Sequence, residues 1–202
     1  MPTLRALCIP LLALGLLAAC ATTRVRSQCR GPRSPDELAR LARVADSTSD
    51  ALRLSVDTMA TVPRRFLQGV VDRVITLEQC GGVRLPEQLR DAAATALAAR
   101  TLGAPTVERA YVWARRAVVA DSADRRNWRL MAQAWDHLQV LQRKPQWFAT
   151  VVSCASPVIG RCGLAPLDST RVTEALRVEF GLPTVRQQRA LVDSINRLRG
   201  QP

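Results

Sequence analysis

Between Ser34 and Leu141 apolar residues return every three or four positions, and prolines and glycines close most of the runs. This spacing restricts the chain to packed helices more than any other feature does. Ser34-Pro35-Asp36-Glu37 offers an N-cap, a proline at the first helical position and acidic residues in the first turn, so a helix is expected from there. Leu38, Leu41, Ala45, Leu52, Val56 and Met59 keep its pattern until Pro63 interrupts it. A second helix from Pro63 carries Phe66, Leu67, Val70, Val71, Val74 and Leu77, and Cys80-Gly81-Gly82 is its C-cap. A third, Ala-rich, runs from about Pro86 to Thr101 with Leu89, Ala93 and Leu97 inward, and Gly103-Ala104-Pro105 stops it. The fourth runs from Thr106 to Ala120 on a stripe of Val107, Tyr111, Ala114 and Val118. Asp121-Ser122-Ala123-Asp124 turns it into a fifth bearing Trp128, Met131, Trp135 and Leu138. Strand alternation is absent before residue 147, and Trp147 to Val152 is the one β-like run. Two helices close the chain, Asp168 to Phe180 and Thr184 to Arg199, the latter opened by the capping box Thr184-x-x-Gln187. The expected class is all-α, in helical hairpins or a bundle.

Ahead of the helices, Arg5 precedes an uncharged apolar run from Ala6 to Ala19 that closes on Leu17-Ala18-Ala19-Cys20. At about 1.5 Å per residue this run falls well short of a ~30 Å hydrocarbon core, which makes it a poor membrane span. Its charge, length and small residues match a secretory signal, and with a cysteine directly after them it resembles the lipobox of bacterial lipoproteins. That resemblance implies cleavage behind Ala19, diacylation of Cys20 and a lipid anchor, since several acyl chains on one residue hold firmly. Ala21 stands where an Asp would resemble an inner-membrane retention signal, so the outer membrane, facing the periplasm, is the expected location. Three segments follow: a signal peptide over 1–19, a lipidated tether over 20–33 with Arg24, Arg26, Arg30 and Arg33, and one helical domain over 34–202.

The mature chain of 183 residues is long enough for one domain with a real core. It carries 28 Lys and Arg against 17 Asp and Glu, a balance that favours anionic partners such as phospholipid headgroups, cell-wall polymers or acidic proteins. Arginine richness also follows from nucleotide composition, and nucleic acid is not an expected partner of an exported protein. With Cys8 discarded and Cys20 lipidated, Cys29, Cys80, Cys154 and Cys162 remain, an even set that an oxidising compartment would pair in one of three connectivities. The short Pro- and Gly-bearing loop between Cys154 and Cys162 favours that pair, leaving Cys29 with Cys80. Zinc is the competing reading, but the chain has no C-x-x-C and a single histidine.

Ala114-Arg-Arg-Ala117-Val-Val-Ala-Asp121-Ser-Ala-Asp124 followed by Trp128-Arg-Leu-Met-Ala132-Gln-Ala-Trp135 resembles the junction between consecutive tetratricopeptide repeats. About one repeat is covered, and in those repeats such residues are packing positions. From Asp136 through Lys144-Pro145-Gln146-Trp147-Phe148-Ala149-Thr150 the chain resembles an uncharacterised bacterial family with a D-R-x-L…G-K-P-Q-x-Y-G-T-Q signature and a tail ending in G-L-P, here Gly181-Leu182-Pro183. The likeness spans roughly residues 107–190. His137 replaces the signature's Arg, Arg143 and Ala149 its two glycines, Phe148 its Tyr and Val151 its last Gln. The family carries no established activity across to this chain.

Asp136, His137, Lys144, Gln146 and Thr150 are therefore the candidate site, Lys144 standing out as the single lysine of the chain. A compact ammonium could be needed there, or it could simply complement the last carbonyls of a helix before Pro145. One histidine supports neither a triad nor a metal centre, and no G-x-S-x-G, H-E-x-x-H or Gly-rich phosphate loop appears. No cofactor is expected and no catalytic residue is assigned. The reading that results is a lipid-anchored module that binds or scaffolds an envelope protein or peptide. The alternatives are a cell-envelope hydrolase using Asp136, Lys144, Gln146 and Thr150, and a purely structural envelope lipoprotein.

Overall fold

The computed structural model describes Cys29 and residues 36–54, 61–154, 160–198 and 200. Its elements are α1 (Glu37–Leu54), α2 (Thr61–Gln79), α3 (Pro86–Ala98), a 3-10 turn (Arg100–Leu102), α4 (Ala104–Ala120), α5 (Arg125–Leu141), β1 (Val152–Cys154), β2 (Cys162–Leu164), α6 (Glu174–Glu179) and α7 (Val185–Leu198). Among the described residues the fold is all-α apart from the two-stranded ribbon.

Helix boundaries follow local chemistry. Pro86 opens α3, and the Gln88 side chain reaches back to accept the N–H groups of Arg84 and Leu85. At the end of α2 the Gly82 N–H bonds the Leu77 carbonyl and the Gly81 N–H that of Glu78, with Gly81 at φ 73°. This is the reversed-hand helix stop that glycine adopts without a Cβ penalty.

The most closely packed pairs are α3 with α4, α4 with α5 and α1 with α3, the first two joined by short connections as in stacked helical hairpins. Their shared core holds Leu38, Val74, Leu77, Leu89, Ala93, Ala96, Ala110, Trp113, Ala114 and Ala117, and a second cluster of Ala45, Leu67, Val70, Val71, Ala98 and Ala99 adjoins it. Runs of alanine on facing helices bring backbones close, and Trp113, only 1 % exposed, fills the space they leave. The stripe read for α4 omitted this tryptophan and included Tyr111, which is half-buried. Asn127, fully buried, donates from Nδ2 to the carbonyls of Ala117 at 3.3 Å and Asp121 at 3.0 Å, tying the end of α4 to the start of α5.

A third cluster, Ala132, Phe148, Val172 and Leu182 with Trp135, Trp147, Leu176 and Phe180 around it, joins the outer side of α5 to the C-terminal segment. Trp128 stacks on Phe180 with ring centroids 4.5 Å apart. Beyond it, Asn196 of α7 holds β2 by accepting the Cys162 N–H at 2.7 Å and donating to the Cys162 carbonyl at 3.0 Å.

Several expectations are corrected. Phe66, read as part of the α2 stripe, is 49 % exposed, because α2 buries the face of Leu67, Val70, Val71 and Val74. Trp128, Met131 and Trp135 are half-buried. The strand expected over 147–152 begins only at Val152, since residues 147, 148 and 150 give their N–H groups to a side chain instead of a ladder. The helix expected from Asp168 starts at Glu174; Asp168 instead forms a turn, accepting from the N–H and hydroxyl of Thr170. Ser34, Pro35, Val56 and Met59, and the side chain of Leu52, lie outside the described residues.

Candidate functional site

The disulfide framework is Cys29 to Cys80 and Cys154 to Cys162. The first closes a separation of 51 residues, worth about 4 kcal/mol in the chain-entropy model. The second links directly opposed residues of the β1–β2 ribbon. Cys20 and the segments assigned to the signal and most of the tether lie outside the described residues. Among the described residues no helix is long and apolar enough to cross a membrane, and no three His, Cys, Asp or Glu side chains come together as metal ligands.

Three of the five candidate residues come together. Asp136, on α5 and fully buried, accepts on Oδ1 the N–H of Trp147 at 2.8 Å and of Phe148 at 3.0 Å, and on Oδ2 the N–H of Thr150 at 3.0 Å and its hydroxyl at 2.8 Å. Gln146, also fully buried, uses its whole amide. Nε2 donates to the carbonyls of Val151 at 3.1 Å and Ala165 at 2.8 Å, while Oε1 accepts the Val151 N–H at 2.8 Å. Its backbone makes a parallel bridge to Leu167, donating to the Pro166 carbonyl and accepting from Asp168. The two side chains thus do for residues 146–151 what a sheet would otherwise do for their backbone groups.

A residue absent from the sequence reading completes this arrangement. Arg177 of α6, 1 % exposed, donates from Nη1 to the Phe148 carbonyl and from Nη2 to the Pro183 carbonyl. Phe148 is therefore held at its N–H by a buried carboxylate and at its C=O by a buried guanidinium. Arg177 Nε has no hydrogen bond, with Glu174 Oε2 3.7 Å away. Burial pushes the Arg177 pKa down, against the attraction of Glu174 and Asp136. Burial likewise pushes the Asp136 carboxyl up from its ordinary value, and the N–H groups of Phe148, Thr150 and Trp147 and the Thr150 hydroxyl pull the other way. No pattern in the sequence marks Arg177 among so many arginines; its position five residues before Leu182-Pro183 is the nearest thing to a signal.

The other two candidates stand apart from this cluster. His137 is half-buried one position along α5, about 100° around the helix from Asp136. Lys144 is exposed, and its backbone N–H bonds the Gln139 carbonyl in the stop that ends α5, where Arg143 at φ 60° takes the left-handed position. An ammonium at a helix C-terminus complements the last carbonyls. Among the described residues Arg143 and Ala149, the latter at φ 49°, are the two non-glycine residues with positive φ.

Open grooves lie elsewhere, along the exposed face of α4. One of about 450 Å³ is lined by Arg84, Tyr111, Val112, Arg115, Arg116 and Val119, with Leu89 and Ala120. A second, of about 420 Å³, continues past Arg84 and Arg116 to the Cys29–Cys80 disulfide, and a third, of about 340 Å³, runs toward Pro105 and Arg109. No family model, characterised protein or solved structure matches the chain.

Proposed function

We propose that the protein is a lipid-anchored module of the bacterial envelope, facing the periplasm from the outer membrane, whose helical domain binds or positions a partner and does no chemistry at the Asp136 cluster. The observation that carries this reading is the commitment of the cluster. Both carboxylate oxygens of Asp136 and all three hydrogen-bonding positions used on Gln146 are occupied by the chain's own backbone and Thr150, and both side chains are sealed from solvent. A general base must reach a proton on a substrate, and a hydrolytic site needs a cavity for that substrate. At Asp136 and Gln146 the polar atoms such a site would use are spent on the chain's own backbone and Thr150, and exposed Lys144 stands outside the cluster.

The leader pattern ending at Cys20 supports the anchor, and two disulfides suit an exported protein. Metabolic labelling with a palmitate analogue in a bacterial host tests it. The full chain should take up label and mature to a species beginning at Cys20, and Cys20→Ala should do neither. An unlabelled wild-type chain overturns the anchored reading.

A further inference from the structure

We propose that the exposed face of α4 rests on the anionic phospholipid surface to which the chain is tethered, Arg84 and Arg115 meeting headgroup phosphates and Val112 and Val119 entering the headgroup layer. The proposal rests on the lipid-anchored reading and specifies what the helical domain meets. Helix α4 has two faces: Val107, Ala110, Trp113, Ala114 and Ala117 are buried in the core, while on the outside Arg109, Val112, Arg116 and Val119 follow one another at three- and four-residue steps, as do Glu108, Val112, Arg115 and Val119. Val112 is 47 % exposed and Val119 81 %, next to arginines, the composition of a surface that lies in a headgroup layer. The largest groove on this face has no acidic residue in its lining. Arg116 is paired with Glu78, so Arg84, Arg109 and Arg115 are the cations left for an anion, and Glu108 is the acid that shares the face, at its Pro105 end.

Tether geometry selects the occupant. The adjoining groove that shares Arg84 and Arg116 is also lined by Cys29 and Cys80, whose disulfide fixes the tether to the foot of α2. Eight residues separate Cys20 from Cys29, and the nine steps between them reach at most about 30 Å. An acylated Cys20 therefore holds this corner of the domain near the bilayer, at an effective concentration at which weak contacts are populated. Arg24 and Arg26 lie in the same short stretch. Each arginine brought to an anionic surface contributes roughly fivefold in binding.

The test uses the full chain reconstituted in vesicles of phosphatidylcholine alone or with phosphatidylglycerol, carrying Val119→Cys or, as a distant control, Leu198→Cys, 87 % exposed in the wild type. Flotation reads the anchor, and the rate of modification by a membrane-impermeant maleimide reads the face. With phosphatidylglycerol, Val119→Cys should react on the order of tenfold more slowly than in phosphatidylcholine, Leu198→Cys should react equally in both, and Arg84→Glu with Arg115→Glu should restore the fast rate. Flotation with both vesicles but equal, fast reaction of Val119→Cys overturns the docking and leaves the anchor intact. Flotation only with phosphatidylglycerol, with protection, supports the docking and removes the anchor. Flotation with neither overturns both. Protection equal in the two lipids, or present in detergent, means that a protein segment or second copy covers the face and overturns the lipid assignment.

Discussion

Arg143 and Ala149 are held in the left-handed region of backbone space, where a side chain costs about 1–2 kcal/mol. Arg143 is exposed and sits at the position after α5 that Gly81 occupies after α2 and Gly181 after α6. Arg143→Gly removes the steric cost and restores some unfolded-chain entropy, so a net gain of about 0.5–1 kcal/mol is expected. Urea denaturation should show it as a higher midpoint at unchanged slope. Ala149 is fully buried, and losing its methyl group would offset part of the same relief. At the other polar positions of this segment Asp136, Gln146 and two of the three guanidinium nitrogens of Arg177 exchange hydrogen bonds with backbone outside the helices and the β1–β2 ribbon.

At the scale of elements, Asp124 joins two helices and caps one. Its Oδ1 accepts the Arg126 N–H in the first turn of α5 at 2.9 Å, and its Oδ2 accepts from Arg90 of α3 at 2.8 Å. The Arg126 guanidinium holds its carboxyl down to about 2, with the Arg126 N–H and Arg90 adding to the effect. A depressed carboxylate contributes stability above its unfolded value of 3.8 and loses it as the pH falls through about 2. Asp124→Ala should cost about 1 kcal/mol at neutral pH, and the gap between variant and wild type should close across that acid window in pH-dependent denaturation. The elements most legible in the sequence were those whose signals are local. Prolines, paired glycines and three-to-four spacing placed α2 to α5 to within a few residues, and Thr184 with Gln187 marked the start of α7, where the Thr184 N–H bonds Gln187 Oε1 at 2.8 Å. The segment from Trp147 to Thr173 misled, because its backbone is satisfied by side chains distant in sequence. Trp147 to Val152 alternates like a strand, yet Asp136 takes the N–H groups of its first residues. The same cause hides the character of the candidate site: Asp136 and Thr150 meet and Gln146 holds the adjoining backbone, but the density of their backbone partners and the part played by Arg177 depend on tertiary placement.

In the whole molecule two bodies of apolar packing share α5. One, with Trp113 at its centre, is built from α1 to α4; the other, around Phe148, Val172 and Leu182, attaches the C-terminal third. Asp136 lies at this junction, and Arg129 on the same helix donates to the Gly181 carbonyl at 2.8 Å. The polar cluster is on this account a clasp, and the α4 face, on the other body, is the surface proposed to meet the phospholipid. A catalytic carboxylate behaves differently, since relieving an active site of an awkward charge commonly leaves stability unchanged or raises it. Urea denaturation of Asp136→Asn, with hydrogen exchange read at residues 146–151, separates the two. An asparagine presents an N–H₂ group where three backbone N–H groups and a hydroxyl now find oxygen. The clasp predicts a loss of about 2–4 kcal/mol and exchange that accelerates at Trp147, Phe148, Thr150 and Val151 while α3 and α4 stay protected. Unchanged or increased stability with residues 146–151 still protected would contradict it.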